Sequence, residues 1–174
     1  MKLETDRLQI RYIEETDWKS VKEIWEDFNK SDYAQYDRPH ITEESDVKNR
    51  IKRWAEATRS KEYEHMFFAV CLEGEMIGYI AFNQREDGHE IGYSFHSKVH
   101  GKGYAKESHL AIFSYLKTLG ISRFIVGTAL KNTPSVKLLS SLGFTLVETE
   151  QVSFYQDEKG QDIYFEGGIF ELKL

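Results

Sequence analysis

A lysine held between two glycines, in His100-Gly101-Lys102-Gly103-Tyr104-Ala105, separates a strand-like stretch from a long amphipathic helix. Strand, glycine turn and helix in that order make a crossover unit, which narrows the folds open to the chain. Such a turn leaves backbone N–H groups bare at a helix start, where the helix dipole favours negative charge. Glycine at 101 and 103 lets the main chain approach a ligand with no Cβ between them. The segment reads as a pyrophosphate cradle.

The periodicity around it fills in the rest. Arg7–Ile13 alternates as a first strand; Asp17 is placed to cap a helix carrying Trp18, Val21, Trp25 and Phe28 on one face. Residues 31–42 read as an irregular connection, and Thr42 precedes a second helix with Val47, Ile51, Trp54 and Thr58 on one face. Strands are expected at 65–72 and 75–83, joined by Glu73-Gly74-Glu75, and again from Gly88 to His96. The helix after the glycine turn buries Ala105, Ile112, Tyr115, Leu116 and Leu119 and stops at Gly120. A short strand over 122–128, a helix from Thr133-Pro134 to Gly143, and strands at 144–155 and 162–173 complete the chain. The order is β-α-α-β-β-β-α-β-α-β-β, which predicts a single domain over residues 1–174. Its class is α/β (α+β): a mixed, mostly antiparallel central sheet of about seven strands with helices on both faces.

Composition excludes several classes of function. With 40% hydrophobic and 30% charged residues the chain is neither disordered nor lipid-spanning, and no apolar run approaches membrane length. The first residues have no apolar core for a signal peptide, so a cytoplasmic location is expected. A net charge of −6 argues against non-specific nucleic-acid binding and suits a cationic partner such as an amine. Cys71 is the one cysteine, in an apolar run that reads as a buried strand, so neither a disulfide nor a cysteine zinc site is expected. His40, His65, His89 and His109 show no metal-ligand spacing, and no metal is predicted.

Three kinds of phosphate loop compete for the glycine turn. A P-loop needs Gly-Lys-Ser or Gly-Lys-Thr, which does not occur. A dinucleotide fingerprint needs Gly or Ala where Lys106 stands, and an acidic residue about 20 positions on, where Arg123 lies. The acyl-CoA loop, Gln/Arg-x-x-Gly-x-Gly/Ala, is met at Gly103 and Ala105 with His100 at its first position. Around it stand Glu90-Ile91-Gly92-Tyr93, then Asn132-Thr133-Pro134-Ser135 and Leu142-Gly143-Phe144, in matching order and spacing. On these motifs the chain resembles the GCN5-related N-acetyltransferase (GNAT) superfamily. The opening Leu3-Glu4-Thr5-Asp6-Arg7-Leu8 and the closing strand pair resemble its subgroup that acetylates the N-termini of ribosomal proteins.

That resemblance implies two neighbouring parallel strands splayed to admit acetyl-CoA as cosubstrate, and transfer of its acetyl group to a primary amine in a ternary complex. The amine is a protein N-terminus or a small molecule. Coenzyme contacts are expected from Phe95, His96, His100, Gly101, Lys102, Gly103, Tyr104, Ala105, Asn132 and Ser135. Ser135 lies in the first helical turn on the face of Leu138, Leu139 and Leu142, so its hydroxyl is directed inward and can serve the leaving thiolate. Serine can also simply cap its own helix terminus, as Asn132 can. For the base, alternation puts Glu90, Gly92 and Ser94 on one face and His89, Ile91, Tyr93 and Phe95 on the other. Glu90 is the leading carboxylate, with an ion-paired surface role as the alternative, and His96 is second choice. Backbone N–H groups near Phe95 are expected to bind the acetyl carbonyl, and Gly92 favours a bulge or close approach there. Tyr33, Tyr36 and Asp37 are candidates for the acceptor cleft, and the edge strands of the closing hairpin would suit a homodimer. A coenzyme A-binding sensor module without turnover is the alternative function.

Overall fold

Each stretch of alternation becomes a strand of one eight-stranded sheet in the computed structural model, which describes residues 1–60, 62–86 and 88–174. The elements are β1 (Lys2–Glu4), β2 (Gln9–Tyr12), α1 (Trp18–Asn29), α2 (Glu44–Thr58), β3 (His65–Leu72), β4 (Glu75–Arg85), β5 (Gly88–Phe95), α3 (Tyr104–Thr118), β6 (Arg123–Ala129), α4 (Thr133–Ser141), β7 (Thr145–Gln156) and β8 (Asp162–Lys173). Their order across the sheet is β1-β2-β3-β4-β5-β6-β8-β7. The strand beyond the expected seven is β1, three residues paired antiparallel to β2 through Leu3 and Ile10. Three residues are too few for periodicity to announce a strand.

One neighbouring pair is parallel, β5 with β6, because the chain between them crosses over through α3. Pairing is confined to His89 with Phe124 and Glu90 with Ile125. β5 then runs on to Phe95 along β4, while β6 runs on to Ala129 along β8. The two strands therefore part in the middle of the sheet, as expected for a splayed pair.

The sheet has an apolar core on each face. On one, Val21, Ile24 and Trp25 of α1 and Val47, Ile51 and Ala55 of α2 cover Phe67, Ala69, Cys71, Tyr79 and Ala81. On the other, Ile112, Phe113 and Leu116 of α3, with Leu139 and Leu142, cover Phe68, Ile80, Phe82, Ile91, Phe124 and Phe170. Each fully buried Val, Leu, Ile or Phe among them contributes about 1.5–3 kcal/mol. This division fixes what β5 presents to each side. Ile91, Tyr93 and Phe95 pack with the α3–α4 side, so Glu90, Gly92 and Ser94 face the α1–α2 side.

Two local expectations are corrected. Asp17 does not cap α1 with its side chain: the buried carboxylate accepts two bonds of 2.7 Å from Arg11 and one from the Glu14 N–H. No bulge occurs at Gly92; β4 and β5 pair in register through Ala81 and Gly92. A Cβ at Gly92 would meet nothing within 4 Å, so the glycine borders open space.

Candidate active site

The glycine turn takes the shape that an anion cradle needs. After β5, a short 3-10 turn at Ser97–Val99 leads to Gly101 and Gly103, both left-handed at φ +73° and +82°. Tyr104 then begins α3, with Gly103 at its N-cap and no side chain capping it. Among the described residues no protein acceptor serves the N–H groups of Gly101, Lys102, Gly103, Tyr104 or Ala105. Bare donors at the positive end of a four-turn helix fit a diphosphate. His100 is turned inward to the Phe95 carbonyl, 2.8 Å from its Nε2, and so braces the turn against the end of β5.

The end of β5 offers a further donor. His96 gives its N–H to the Ile77 carbonyl at 3.0 Å, so the neighbouring Gly78–Phe95 pair is of the kind that exchanges no hydrogen bond. The Phe95 N–H consequently points away from β4, toward the gap left by β6. The Phe95 ring lies over Gly78, where a Cβ would come within 2.3 Å of it. His96 is taken up structurally: its Nδ1 accepts from the Lys98 N–H at 3.2 Å and lies 3.8 Å from the Asp27 carboxylate.

Ser135 meets Tyr93 across the opening, hydroxyl to hydroxyl at 2.6 Å. Asn132, the N-cap of α4, accepts from the Ser135 N–H at 3.3 Å, which anchors the serine's backbone. Tyr93 was not singled out by the sequence. Its signal was the alternation that places it beside Phe95 on the face where Ser135 was expected. Burial pushes the Tyr93 phenol up, and the Ser135 hydrogen bond offsets part of that, so it is protonated at neutral pH.

Behind Tyr93 stands His109, fully buried, its ring perpendicular to the tyrosine at a 5.0 Å centroid distance. Its Nδ1 lies 2.6 Å from the Ala105 carbonyl, to which it donates. Burial lowers its pKa to about 4, against the backbone bond that raises it. The unfolded chain takes up this proton near the ordinary 6.5, before the folded protein can. Stability is therefore full above that value and declines as pH falls to about 4, by roughly 1.4 kcal/mol per pH unit from this group. Thermal melts between neutral and acidic pH should show a shallower decline for His109→Gln than for wild type. Parallel slopes would contradict the assignment.

On the α1–α2 side of the same gap, Arg85, Glu90, Ile125, Gly127, Glu150 and Ile169 line a cleft of about 280 Å³. Glu90 is ion-paired with Arg85, and both side chains are half-exposed. Gly92 and Gly127 have nothing within 4 Å of a Cβ, so the sheet floor is bare there. Tyr33, Tyr36 and Asp37 do not line this cleft. Tyr33 and Tyr36 lie in a 3-10 segment, Asp32–Tyr36, inside the connection expected to be irregular. Tyr36 packs edge-on against Phe165 at 5.4 Å, and the Asp37 carbonyl accepts from the Tyr155 hydroxyl at 2.7 Å. They tie this connection to the β7–β8 hairpin.

The family model for the acetyltransferase (GNAT) domain matches residues 7–145. The chain is 32% identical over 148 residues to an uncharacterised N-acetyltransferase of Bacillus subtilis, YnaD, covering 82% of each chain. A GNAT-family acetyltransferase of Bacillus anthracis superposes with a TM-score of 0.74 at 25% identity, over 99% of this chain and 98% of its own. RimL, a ribosomal-protein α-N-acetyltransferase solved with coenzyme A, shares the fold at a TM-score of 0.85 and 19% identity, over 100% and 98% of the two chains. With the family model spanning most of its length and a relative this similar, the chain belongs to the GNAT acetyltransferases.

Proposed function

We propose that this acetyltransferase passes the acetyl group of acetyl-CoA directly to a primary amine, a protein N-terminus or a small amine, with both substrates bound together. The observation that carries the reading is the gap between β5 and β6. It joins the bare amides and the Tyr93–Ser135 pair on one face to the carboxylate-lined cleft on the other. Ribosomal-protein acetyltransferases among the structural neighbours favour a protein N-terminus as acceptor.

Acetyl-CoA supplies the acetyl group as an activated thioester. The N–H groups of Gly101 to Ala105 hold its diphosphate, with Lys102 adding positive charge from the loop; His96 and His100 shape the turn beneath it. Asn132 and the Phe95 N–H lie along the path of its pantetheine arm, and the Phe95 N–H steadies the acetyl oxygen as negative charge develops there. From the opposite cleft the amine approaches past Glu90, which takes a proton directly or through water. The carbon–nitrogen bond forms, the carbon–sulfur bond breaks, and one amine proton is lost while the sulfur gains one. Either hydroxyl of the Tyr93–Ser135 pair can donate; when the neutral phenol donates to Ser135, the serine's own proton is left to face the departing sulfur. Tyr36 and Asp37, joined to the hairpin, and Tyr33 in the same 3-10 segment as Tyr36 shape the approach from further out.

The test is thiol release from acetyl-CoA in the presence of peptide libraries and small amines. Amine-dependent release is expected, with peptides bearing a free N-terminus among the acceptors. Coenzyme binding without release across the whole panel would favour the sensor instead. Glu90→Gln should lower the rate at neutral pH and lose less at alkaline pH, where the amine is already neutral. An identical loss at every pH would remove Glu90 as the base.

A further inference from the structure

The opening stretch from Leu3 to Leu8 has no part in the site as described, yet its side chains converge on the coenzyme loop. Arg7 Nε donates to Glu107 Oε2 at 2.7 Å, with Nη2 2.6 Å from the same oxygen. Its Nη1 donates to the Lys102 carbonyl at 3.0 Å, and the guanidinium lies 4.4 Å over the Tyr104 ring. The other oxygen of Glu107 accepts from the Thr5 hydroxyl at 2.6 Å and the Arg7 N–H at 3.1 Å. Thr5 in turn accepts from the Leu8 N–H at 2.9 Å, closing the segment on itself. Burial would raise the Glu107 carboxyl, but the bonds from Thr5 and Arg7 hold it below its ordinary value, so it is ionised.

We infer that Arg7 is a positioning residue for the diphosphate loop, acting through one peptide plane and one charge. The Lys102 carbonyl and the Gly103 N–H belong to the same trans peptide, so they point in opposite directions. Fixing the carbonyl on Arg7 aims the Gly103 N–H away from the N-terminal segment, into the cradle. Arg7 also neutralises a carboxylate that stands in the first turn of α3, where an incoming diphosphate would be repelled by it. The Thr5-to-Leu8 motif thus serves the coenzyme from the far end of the chain, about a hundred residues away in sequence.

The inference rests on the loop being the diphosphate cradle, and calorimetric titration with coenzyme A separates the two. Arg7→Ala should weaken coenzyme A binding about tenfold, with kcat at saturating acetyl-CoA falling less than twofold. Adding Glu107→Gln to Arg7→Ala should recover part of the affinity, because the unpaired carboxylate is gone. Arg7→Lys, which keeps the charge but cannot engage both partners, should fall between wild type and alanine, and serves alone if the alanine variant does not fold. Wild-type affinity in both Arg7 variants, with Gly103→Val failing to bind, would overturn the brace and leave the loop standing. Wild-type affinity in all three would overturn the loop as well.

Discussion

Gly103→Val is expected to abolish measurable coenzyme A binding while the protein stays folded. At φ +82° the backbone is left-handed, a region that costs an ordinary residue roughly 1–2 kcal/mol and a β-branched one more. A Cβ there would already stand 3.4 Å from Arg7 Nη2, and valine adds two methyl groups beside it. The loop must then rotate, and with it the N–H groups of Gly103 to Ala105, which act together on one ligand. Since the turn is exposed and outside both apolar cores, the cost falls on binding rather than on folding. Calorimetric titration with coenzyme A beside a thermal melt reads both. Gly101→Ala is the contrast, since it meets open space and bears only the φ penalty, so its affinity should fall much less. Full affinity in Gly103→Val would show that the diphosphate sits elsewhere.

The features legible in the sequence were those with local causes. Gly101 and Gly103 announced a turn open to close approach, Pro134 a helix start, and alternation through residues 88–95 told which side chains of β5 share a face. What was hidden depends on contacts distant along the chain. Asp17 has the residue type of a cap, but Arg11 on β2 takes its carboxylate, and nothing local signals that competition. Ser108 and His109 look like polar interruptions of the α3 apolar face, yet both are buried because their side chains bond to carbonyls one turn back, at Tyr104 and Ala105. Tyr36 and Asp37 were aromatic and acidic enough to suggest a cleft, whereas the hairpin ending at β8 claims them. Of the candidate site, the loop and Ser135 were readable one residue at a time. The partners that orient them, Arg7 and Tyr93, lie in segments separated from them by some 95 and 42 positions and emerge only when the sheet assembles.

Ser135→Ala should lower kcat about a hundredfold and leave coenzyme A affinity within about threefold of wild type. The serine's backbone stays where Asn132 holds it, so the cradle is undisturbed; what is lost is the hydroxyl proposed to serve the leaving sulfur. Tyr93→Phe tests the same step from the other side. The phenyl ring keeps its packing against His109, but Ser135 loses the hydroxyl partner that orients it, and its proton becomes free to turn back to its own helix. A fall in kcat of about tenfold is expected, smaller than for the serine itself. The decisive comparison is the double variant. If Tyr93 acts through Ser135, removing both costs no more than removing Ser135 alone, because the tyrosine then has nothing left to orient. Additive losses would mean that Tyr93 touches the reacting atoms independently. Unchanged kcat in Ser135→Ala would take the serine out of the chemistry and leave the sulfur to be protonated by solvent.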